Sequence, residues 1–510
     1  IGPCVFVNIA LKWTMITYRG QQSGLDNFGT FSLTTIGHTM TCNHCRDTRD
    51  FIAQLPADPD PKRELEMTVA EGFTVTAVGD VIIARPISQG INPELTEIVE
   101  ILQRPDVTFG NFETSAIDLQ DFDGYQAAEH GGAWLIGPPA IAYDLKAMGF
   151  DMMARANNHT TDWGVEGMRS TTKILDEAGI VHAGAGETLA LARAGRYFET
   201  PKGRVAVVSM ASSFTPLSRA MNSLGEAPGR PGLSPVRTTR HTLITQQEMD
   251  VLVGIRDSIA AYRSGETESG GESDEEPVTE LSSFGTNFRV ADHRGYEHDL
   301  NDIDLAEILA AIKQAKRNSD FVIATIHAHD PGNWSDRPPD FLEELARKAI
   351  DAGADQFVGH GPHQLRGLEI YKGKPIFYSL ANFIFQVELQ EPVGQDLYDR
   401  YGIDPKEVTD SEFNRRFLER GFGDSIWYES VIAESRYEGG TVAEIRLYPV
   451  ELGYEKRGAH RGVPGTARPE VGQQLLETMQ RLSEPYGTTI TIEDGVGVIR
   501  ISATTDAGRR

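Results

Sequence analysis

From residue 72 onward, short apolar runs alternate with longer runs in which apolar residues recur at helical spacing. The strand-like runs are FTVTAVGD, DVTFGNFE, DMMARA, RVAVVSM, FVIATIHAH and DQFVGHG. The helix-like runs are PELTEIVEILQ, PAIAYDLKAMGF, GVEGMRSTTKILDEAGI and PDFLEELARKAIDAGA. Gly179 follows the third of these helices and is expected to end it as a C-cap. This alternation predicts an α/β protein.

The later part of the chain has a different pattern, with two hairpin signals. The first is the KGK turn inside LRGLEIYKGKPIFYSLANFIF, and the second is the Gly439-Gly440 turn inside YESVIAESRYEGGTVAEIRLYPVEL. Antiparallel strands that follow βα units indicate a second sheet facing the first. Two sheets with helices outside predict a four-layer α-β-β-α sandwich.

Changes in composition divide the chain into predicted regions. A mixed segment ending in a Pro/Asp linker predicts a poorly ordered N-terminal extension over 1–66, and the main domain is expected over 67–460. Within it, the acidic, Gly/Ser-rich stretch 264–283 is expected to be a mobile loop, because it lacks apolar residues to bury. Charged helix fragments over 387–425 are predicted to be an insertion, and 461–510 a C-terminal appendage.

The charge balance excludes some classes of function. Lys+Arg 48 against Asp+Glu 74 gives 48 − 74 = −26, which argues against nucleic-acid binding and against adhesion to anionic membranes. It is compatible with a bound cation. The three cysteines all lie within the first 45 residues, and no apolar run reaches the roughly 18 residues of a transmembrane helix. We leave the localisation open between the cell envelope and the cytoplasm.

Polar side chains follow five of the predicted strands: Asp80; Asn111 and Glu113; Asn158 and His159; His327 and His329; His360 and His363. Ligands bind at the carboxyl ends of strands in open α/β sheets. Each group alone has an ordinary structural explanation, such as a turn or, for Thr161 or Asp162, a helix cap, which we favour for Asp162. Together they predict one shared metal or catalytic site, whose O and N donors suit Mn²⁺, Zn²⁺ or Fe.

Five motifs in this order resemble the CapA family of bacterial capsule synthesis or poly-γ-glutamate biosynthesis proteins, which in turn look like calcineurin-type metallophosphoesterases. The motifs are AVGDVIIAR, FGNFETSAI, ANNHTTDWGVEGM, AGAGETLALA and GADQFVGHGPHQLRGLEIYKGKPIFYSLANFIF. The resemblance covers roughly residues 73 to 452 and implies a fold of the calcineurin-like metallophosphoesterase type. It also implies a site that binds one or two divalent ions.

The resemblance assigns metal-ligand positions to Asp80, Asn111, Glu113, Asn158, His327, His360 and His363. It implies His159, Asn158 and His327 as catalytic residues, with His159 polarising the leaving group. Where an ordinary phosphoesterase has a histidine two residues after its first aspartate, this chain has Ile82. The expected activity is metal-dependent hydrolysis or transfer at a phosphoester or amide-like centre.

Three further residues are expected to bind substrate. Arg230 and Arg237 lie in the stiff loop GRPGLSPVR, where guanidinium groups suit phosphate or carboxylate, and Asn382 lies in YSLANF. The expected partner is an anionic polymer or a phosphorylated or peptidic small substrate. Two alternatives stay open: a non-catalytic polymer-binding assembly factor, and a metal-free, epimerase-like peptide enzyme in which His159 and His327 carry protons.

Overall fold

The computed structural model describes residues 67–88, 94–259 and 277–501, with two short strands nearer the start of the chain. Those strands, β1 (Thr34–Thr35) and β2 (His38–Thr39), pair antiparallel within one unit, Ile1–Pro59. In the second unit, Asp60–Arg510, the strands are β3 (Phe73–Ile82), β4 (Val107–Phe112), β5 (Ser115–Ala116), β6 (Ile136–Gly137), β7 (Met152–Ala154), β8 (Val181–Ala183), β9 (Ala185–Gly186), β10 (Arg196–Thr200), β11 (Gly203–Ala211), β12 (Gly232–Leu233), β13 (Thr238–Ile244), β14 (Glu280–Ser283), β15 (Thr286–Val290), β16 (Gly295–Leu300), β17 (Phe321–His327), β18 (Gln356–His360), β19 (Leu368–Tyr371), β20 (Lys374–Phe377), β21 (Asn382–Phe385), β22 (Glu429–Glu438), β23 (Thr441–Glu451), β24 (Gly465–Thr466), β25 (Thr491–Glu493) and β26 (Val496–Arg500).

The helices of the second unit are α1 (Glu94–Gln103), α2 (Ala140–Met148), α3 (Gly164–Ala178), α4 (Leu189–Arg193), α5 (Gln246–Ser258), α6 (Asp302–Arg317), α7 (Asp340–Asp351), α8 (Gln395–Tyr401), α9 (Asp410–Gly421) and α10 (Pro469–Ser483). Local sequence sets several of their ends. Gly179 ends α3 with a φ of 74°, which confirms the predicted C-cap. Thr245 and Glu248 form a capping box at the start of α5. None of the helices in the described part of the chain has the length and apolar character needed to span a bilayer.

The first large sheet has the strand order β25-β26-β23-β22-β3-β4-β7-β8, with β21 beside β3 and β24 beside β23. Its strands β3, β4, β7 and β8 are parallel, and the helices α1, α2 and α3 connect them in turn. Parallel strands need such crossover helices, so this half of the chain follows the alternation read from the sequence. The strand ends that carry polar residues therefore lie at one edge of the sheet.

The second large sheet has the order β10-β11-β17-β18-β20-β19. The strands β11, β17, β18 and β20 are parallel, while β10 and β19 run antiparallel at the two edges. A separate four-stranded sheet, β14-β15-β13-β16, forms between β11 and β17 in the chain. The second sheet brings the polar ends of β17 and β18 side by side.

Three apolar clusters hold these layers. One cluster draws side chains from both large sheets, including Phe73 and Phe109 from the first and Val207 and Phe321 from the second. A second cluster joins β3 to residues of α1, α2 and α3, and a third joins β11 and β17 to residues of α6 and α7. The predicted α/β class is confirmed, and each large sheet has helices packed against it.

The assignment of the late hairpins to one new sheet was wrong. The hairpin β19–β20 does join the second sheet, but β22–β23 extends the first sheet, because β22 pairs with the first half of β3. The strand between the hairpins, β21, already pairs with the last part of β3. The chain has thus returned to the first sheet before the second hairpin begins.

Two predicted boundaries need correction. The segment 461–510 is no appendage, because β26 pairs with β23 and residues of α10 lie in the core cluster shared by both large sheets. The predicted mobile loop 264–283 lies partly outside the described residues, but its last four residues form β14 and pair with β15. The segment 387–425 contains α8 and α9, as its helical pattern predicted. The expected extension 1–66 lies outside the described residues, apart from β1 and β2.

Candidate metal centre and adjoining pocket

A β-bulge in β3 aims Asp80 at the centre of the site. The register between β3 and β4 shifts between Ala77 and Asp80. At the bulge, a Cβ on Gly79 would overlap the carbonyl oxygen of Ala381, so only glycine lets the chain before β21 pass this close. The Asp80 amide donates to that same carbonyl at 2.9 Å. Bulges of this kind re-aim a side chain, and here Asp80 is fully buried beside the ends of the second sheet.

Two hydrogen-bond donors and two imidazoles surround the carboxylate of Asp80. Its Oδ1 accepts from Asn111 Nδ2 at 2.8 Å, and its Oδ2 accepts from the Gly361 amide at 3.2 Å. The Nδ1 atoms of His363 and His360 lie 3.4 and 3.6 Å from its two oxygens. Burial raises the pKa of Asp80, but the hydrogen bond with His363 and the charges of the neighbouring histidines outweigh it and lower the pKa. Asp80 is therefore an ionised buried carboxylate.

Glu113 is buried without a hydrogen-bond partner for either carboxylate oxygen among the described residues. Two imidazoles face it: His327 Nε2 lies 3.5 Å from Oε1, and His159 Nε2 lies 3.8 Å from it. Burial, together with the charges of Asp80 and Asp162, raises the pKa of Glu113 well above its ordinary value. A buried carboxylate of this kind is costly unless a cation neutralises it.

The histidines come from adjacent strand ends and from the loops that follow. His327 and His360 are register partners on β17 and β18. His329 Nε2 lies 3.0 Å from His327 Nε2, and His363, at a φ of 58°, places Nδ1 2.8 Å from Asn382 Oδ1. Burial lowers the pKa of His327 well below its ordinary value, that of His329 to about 3 and that of His360 to about 4. These three rings are neutral at physiological pH, the state in which imidazole binds a metal.

The donors fit a divalent ion. Two groups of three place their ligand atoms within 4.8 Å of one another: Glu113, His327 and His329, and Asp80, Glu113 and His363. Asn158 Oδ1 and both ring nitrogens of His360 are also buried without a hydrogen-bond partner among the described residues. Unpaired carboxylate, amide and imidazole donors around one point suit Mn²⁺, Zn²⁺ or Fe. Because the two groups share Glu113, the arrangement is compatible with one ion or two.

Asn111 has a supporting position in this arrangement. Its Nδ2 donates to Asp80, and its Oδ1 accepts from Asn157 Nδ2 at 3.2 Å. Asn157 Oδ1 in turn accepts from the His159 amide at 3.1 Å. Both ends of the Asn111 amide are engaged, which gives this residue a positioning role toward Asp80, while its role as a direct ligand stays a prediction. Asn157, which we did not single out, connects β4 to the loop that carries Asn158 and His159.

His159 forms a dyad with Asp162. Its Nδ1 lies 2.6 Å from Asp162 Oδ2, and the Asp162 oxygens also accept from the Gly131 and Leu135 amides at 2.9 and 3.0 Å. Both oxygens are thus engaged by groups outside α3, so the favoured capping role of Asp162 was wrong. Gly131 packs so closely that a Cβ there would lie 2.8 Å from His159 Nδ1, and its carbonyl accepts from Asn158 Nδ2 at 2.8 Å. The dyad leaves His159 Nε2 facing Glu113.

A pocket of about 230 Å³ opens beside the centre, and the backbone of Gly131 and Gly132 forms part of its wall. Its polar side chains are Asn158, His159, His329, Asn333 and His363. Asn333 was absent from our predicted site, and His329 was named among its strand-end residues without a ligand or catalytic role. His329 Nδ1 lies 2.7 Å from Asn333 Oδ1, and Gln364 Nε2 donates to the Asn333 carbonyl. The HGG segment and Asn333 had no recognisable pattern in the sequence.

The two arginines expected to bind substrate have structural contacts instead. Arg237 donates from Nε to Asp304 at 2.7 Å and from Nη2 to Asn301 at 3.0 Å, at the start of α6. Arg230 donates from Nε to the Arg219 carbonyl at 2.9 Å. These contacts fix the loop before β13. Asn382, the third expected substrate residue, orients the ring of His363.

Comparison with known proteins identifies a matching family and several relatives. Residues 74–387 match the family described as Bacterial capsule synthesis protein PGA_cap. Uncharacterized protein y4sH of Sinorhizobium fredii is 50% identical, over 85% of this chain and 94% of its own length. Capsule biosynthesis protein CapA of Bacillus anthracis is 27% identical, over 62% of this chain and 60% of its own. The solved NAD nucleotidase (NadN) of Haemophilus influenzae aligns with 81% of this chain and 56% of its own at 12% identity and a TM-score of 0.30, too low to support a statement about the fold.

Proposed function

The chain belongs to the bacterial capsule synthesis protein family PGA_cap, and from this membership and its site we propose a metal-dependent hydrolase or transferase acting at a phosphoester or amide-like centre. Two relatives are named for capsule biosynthesis and for PGA biosynthesis. We infer that the reaction serves the synthesis of an anionic polymer of the poly-γ-glutamate type. The substrate is the polymer itself or a phosphorylated or peptidic small molecule.

The finer description of the fold belongs to the same proposal. We infer a four-layer α-β-β-α sandwich of the calcineurin-like metallophosphoesterase type. The apolar cluster shared by both large sheets supports it, because sheets packed face to face bury their inner sides together. The helices α1 to α3 against the first sheet, and α6 and α7 against the second, supply the outer layers.

The observation that carries the functional proposal is the unpaired carboxylate of Glu113, which faces the imidazoles of His327 and His159. The residues that would hold a metal are Asp80, Glu113, Asn158, His327, His329, His360 and His363. Bound there, one or two ions of Mn²⁺, Zn²⁺ or Fe²⁺ would lower the pKa of water and offset negative charge at the reacting centre. A purely structural site would leave this carboxylate buried without compensation.

His159 is the proton carrier of the proposal. Asp162, which also accepts from the Gly131 and Leu135 amides, fixes the imidazole with Nδ1 toward the carboxylate and Nε2 toward the centre. An imidazole held in this way can give a proton at Nε2 to a leaving oxygen or nitrogen. Asn158 and the Gly131 backbone fix the loop around the ring, so that His159 keeps its orientation.

Metal content and turnover test the proposal together. Purified protein is analysed for bound metals and then assayed with a chromogenic phosphodiester and a γ-glutamyl substrate, in wild type, His159→Ala and His293→Ala. His293 is 69% exposed and serves as the matched histidine control. We expect metal in all three proteins, and turnover that His159→Ala reduces by about 10²-fold or more while His293→Ala retains it.

Each contrary outcome favours a different alternative. Bound metal without turnover of either substrate favours the non-catalytic, polymer-binding assembly factor. Turnover in metal-free protein favours acid/base catalysis without an ion, in which His159 and His327 carry the protons; the epimerase-like form of this alternative would invert a peptide stereocentre and cleave neither substrate. Equal turnover by wild type and His159→Ala removes His159 from the mechanism.

A further inference from the structure

The pocket beside the candidate metal centre has one wall that is entirely apolar. Its side chains are Ile82, Leu135, Phe385, Val387, Phe417 and Phe422. Phe417 lies in α9 and Phe422 directly follows that helix, so both come from the inserted segment 387–425, and both are only partly buried. The insertion thus completes a hydrophobic surface beside His363.

We propose that this wall binds an uncharged, apolar substituent of the substrate, an aryl or branched aliphatic group next to the bond that is broken. The inference rests on the function proposed above and specifies its substrate class. The pocket, at about 230 Å³, is larger than the roughly 150 Å³ apolar cavity that is known to bind benzene. A group of that size fits without rearrangement of the wall.

The position of the wall ties the substituent to the reacting centre. The His363 ring lies 5.8 Å from the Phe422 ring and 6.0 Å from the Phe385 ring, measured between centroids. His363 is also one of the candidate metal-binding residues. A substituent that packs against these phenylalanines is therefore separated from the candidate metal centre by little more than the His363 ring. At that distance it can affect turnover as well as binding.

The charge of the pocket excludes a free carboxylate from this position. In the described part of the chain, no lysine, arginine, aspartate or glutamate side chain lines it. A carboxylate placed against the apolar wall would lose its hydration and find no cation in exchange. The free carboxylates of an acidic polymer must therefore lie outside this pocket, and the group inside it is one without charge.

Phe417 is the residue that tests the proposal best. Phe422 contacts the His363 ring, so its replacement would disturb the centre directly, whereas Phe417 packs against Phe422 at 6.4 Å from ring to ring. Phe417→Lys adds a cation to the wall and should favour a carboxylate there. Ile426→Lys is the matched control, because Ile426 is 41% exposed, lies close in the chain and is not part of the pocket.

The experiment compares two phosphonates of similar size, benzylphosphonate and 2-carboxyethylphosphonate, by isothermal titration calorimetry on the metal-loaded proteins. Both ligands share the phosphonate and differ only in the substituent. We expect wild type and Ile426→Lys to bind benzylphosphonate about tenfold or more tightly than the carboxylate. In Phe417→Lys we expect this preference to vanish or reverse.

Equal binding of the two ligands by wild type, a preference for the carboxylate, or no binding of benzylphosphonate would each overturn the proposal. So would an unchanged preference in folded Phe417→Lys, with folding checked by circular dichroism. The wild-type comparison stands if the variant does not fold. Failure of the proposed catalysis would be recognised separately, as absent turnover with the binding preference intact.

Discussion

Replacing Glu113 by glutamine should stabilise the metal-free protein, contrary to the usual effect of a core substitution. Glu113 is 1% exposed, and neither of its oxygens has a hydrogen-bond partner among the described residues. Two imidazole nitrogens face it at 3.5 and 3.8 Å, beyond normal hydrogen-bond length. Glutamine keeps the shape and removes the group that is expensive to bury.

The size of the effect follows from what each side chain loses on burial. In the metal-free protein Glu113 is held either as a buried, unpaired ion or in the protonated form that its raised pKa favours, and at neutral pH each state costs several kcal/mol relative to the unfolded chain. An unpaired neutral amide costs about 1–3 kcal/mol. The difference gives a stabilisation of about 1–3 kcal/mol for metal-free Glu113→Gln. With metal the difference should shrink or reverse, because a cation present at a hundred times its Kd stabilises wild type by about 2.7 kcal/mol, and the variant has lost a shared ligand.

Urea unfolding followed by tryptophan fluorescence measures both effects, in EDTA and in excess Mn²⁺. Glu470→Gln, at an exposed position in α10, should stay within about 0.5 kcal/mol of wild type under both conditions. The reasoning is refuted if Glu113→Gln is clearly less stable than wild type in EDTA, or if Mn²⁺ stabilises the variant as much as wild type. Either result would mean that Glu113 has a structural partner and no role toward a cation.

Three further substitutions test separate parts of the structure. Asp162→Asn should lower turnover by about 10²–10⁴-fold with metal content unchanged, since the dyad orients His159. Unchanged turnover in kinetic assays, or loss of metal in elemental analysis, would contradict this. Burial and the charges of two arginines lower the pKa of His182 to about 3. As the pH falls from 7 to 5 the unfolded chain takes up a proton at this position and the folded protein does not, which should lower the free energy of unfolding by about 2 kcal/mol. Urea unfolding of His182→Gln should lack this pH-dependent decrease. Gly79→Ala should destabilise by about 3 kcal/mol and deplete bound metal, because its Cβ meets the Ala381 carbonyl; a native melting temperature and full metal content would contradict this.

Local patterns predicted the α/β class and the polar strand ends, because a strand's composition and the residues at its end lie within one short window. Asp80, Glu113, Asn158 and the histidines could be identified in this way. The partition of the hairpins between sheets could not, since it depends on where β21 pairs, which is a contact between distant parts of the chain. The same applies to Arg237, whose partners at the start of α6 lie more than sixty residues further on.

Residues that act through the backbone were the hardest to predict. Gly131 belongs to the site because its amide donates to Asp162 and its missing side chain admits His159. Neither property leaves a pattern in a segment that reads as a polar loop. Asp162 was recognised but assigned to the helix beside it, because a capping position is defined by neighbours in sequence, whereas its actual donors at Gly131 and Leu135 lie about thirty residues earlier.

The arrangement of charge favours an enzyme over a passive holder of an anionic polymer. A surface that retains a polyanion needs exposed cations, yet the pocket contains none, and the whole chain carries a net charge of −26. The molecule instead buries an unpaired carboxylate, an unpaired amide oxygen and imidazoles at the ends of its strands, and orients a separate imidazole with the Asp162 carboxylate. Such groups lower stability unless something binds them, and destabilising polar clusters are typical of functional sites. Retention of a polymer would not require the His159–Asp162 dyad, whereas proton transfer at a bond held beside the metal-binding residues would.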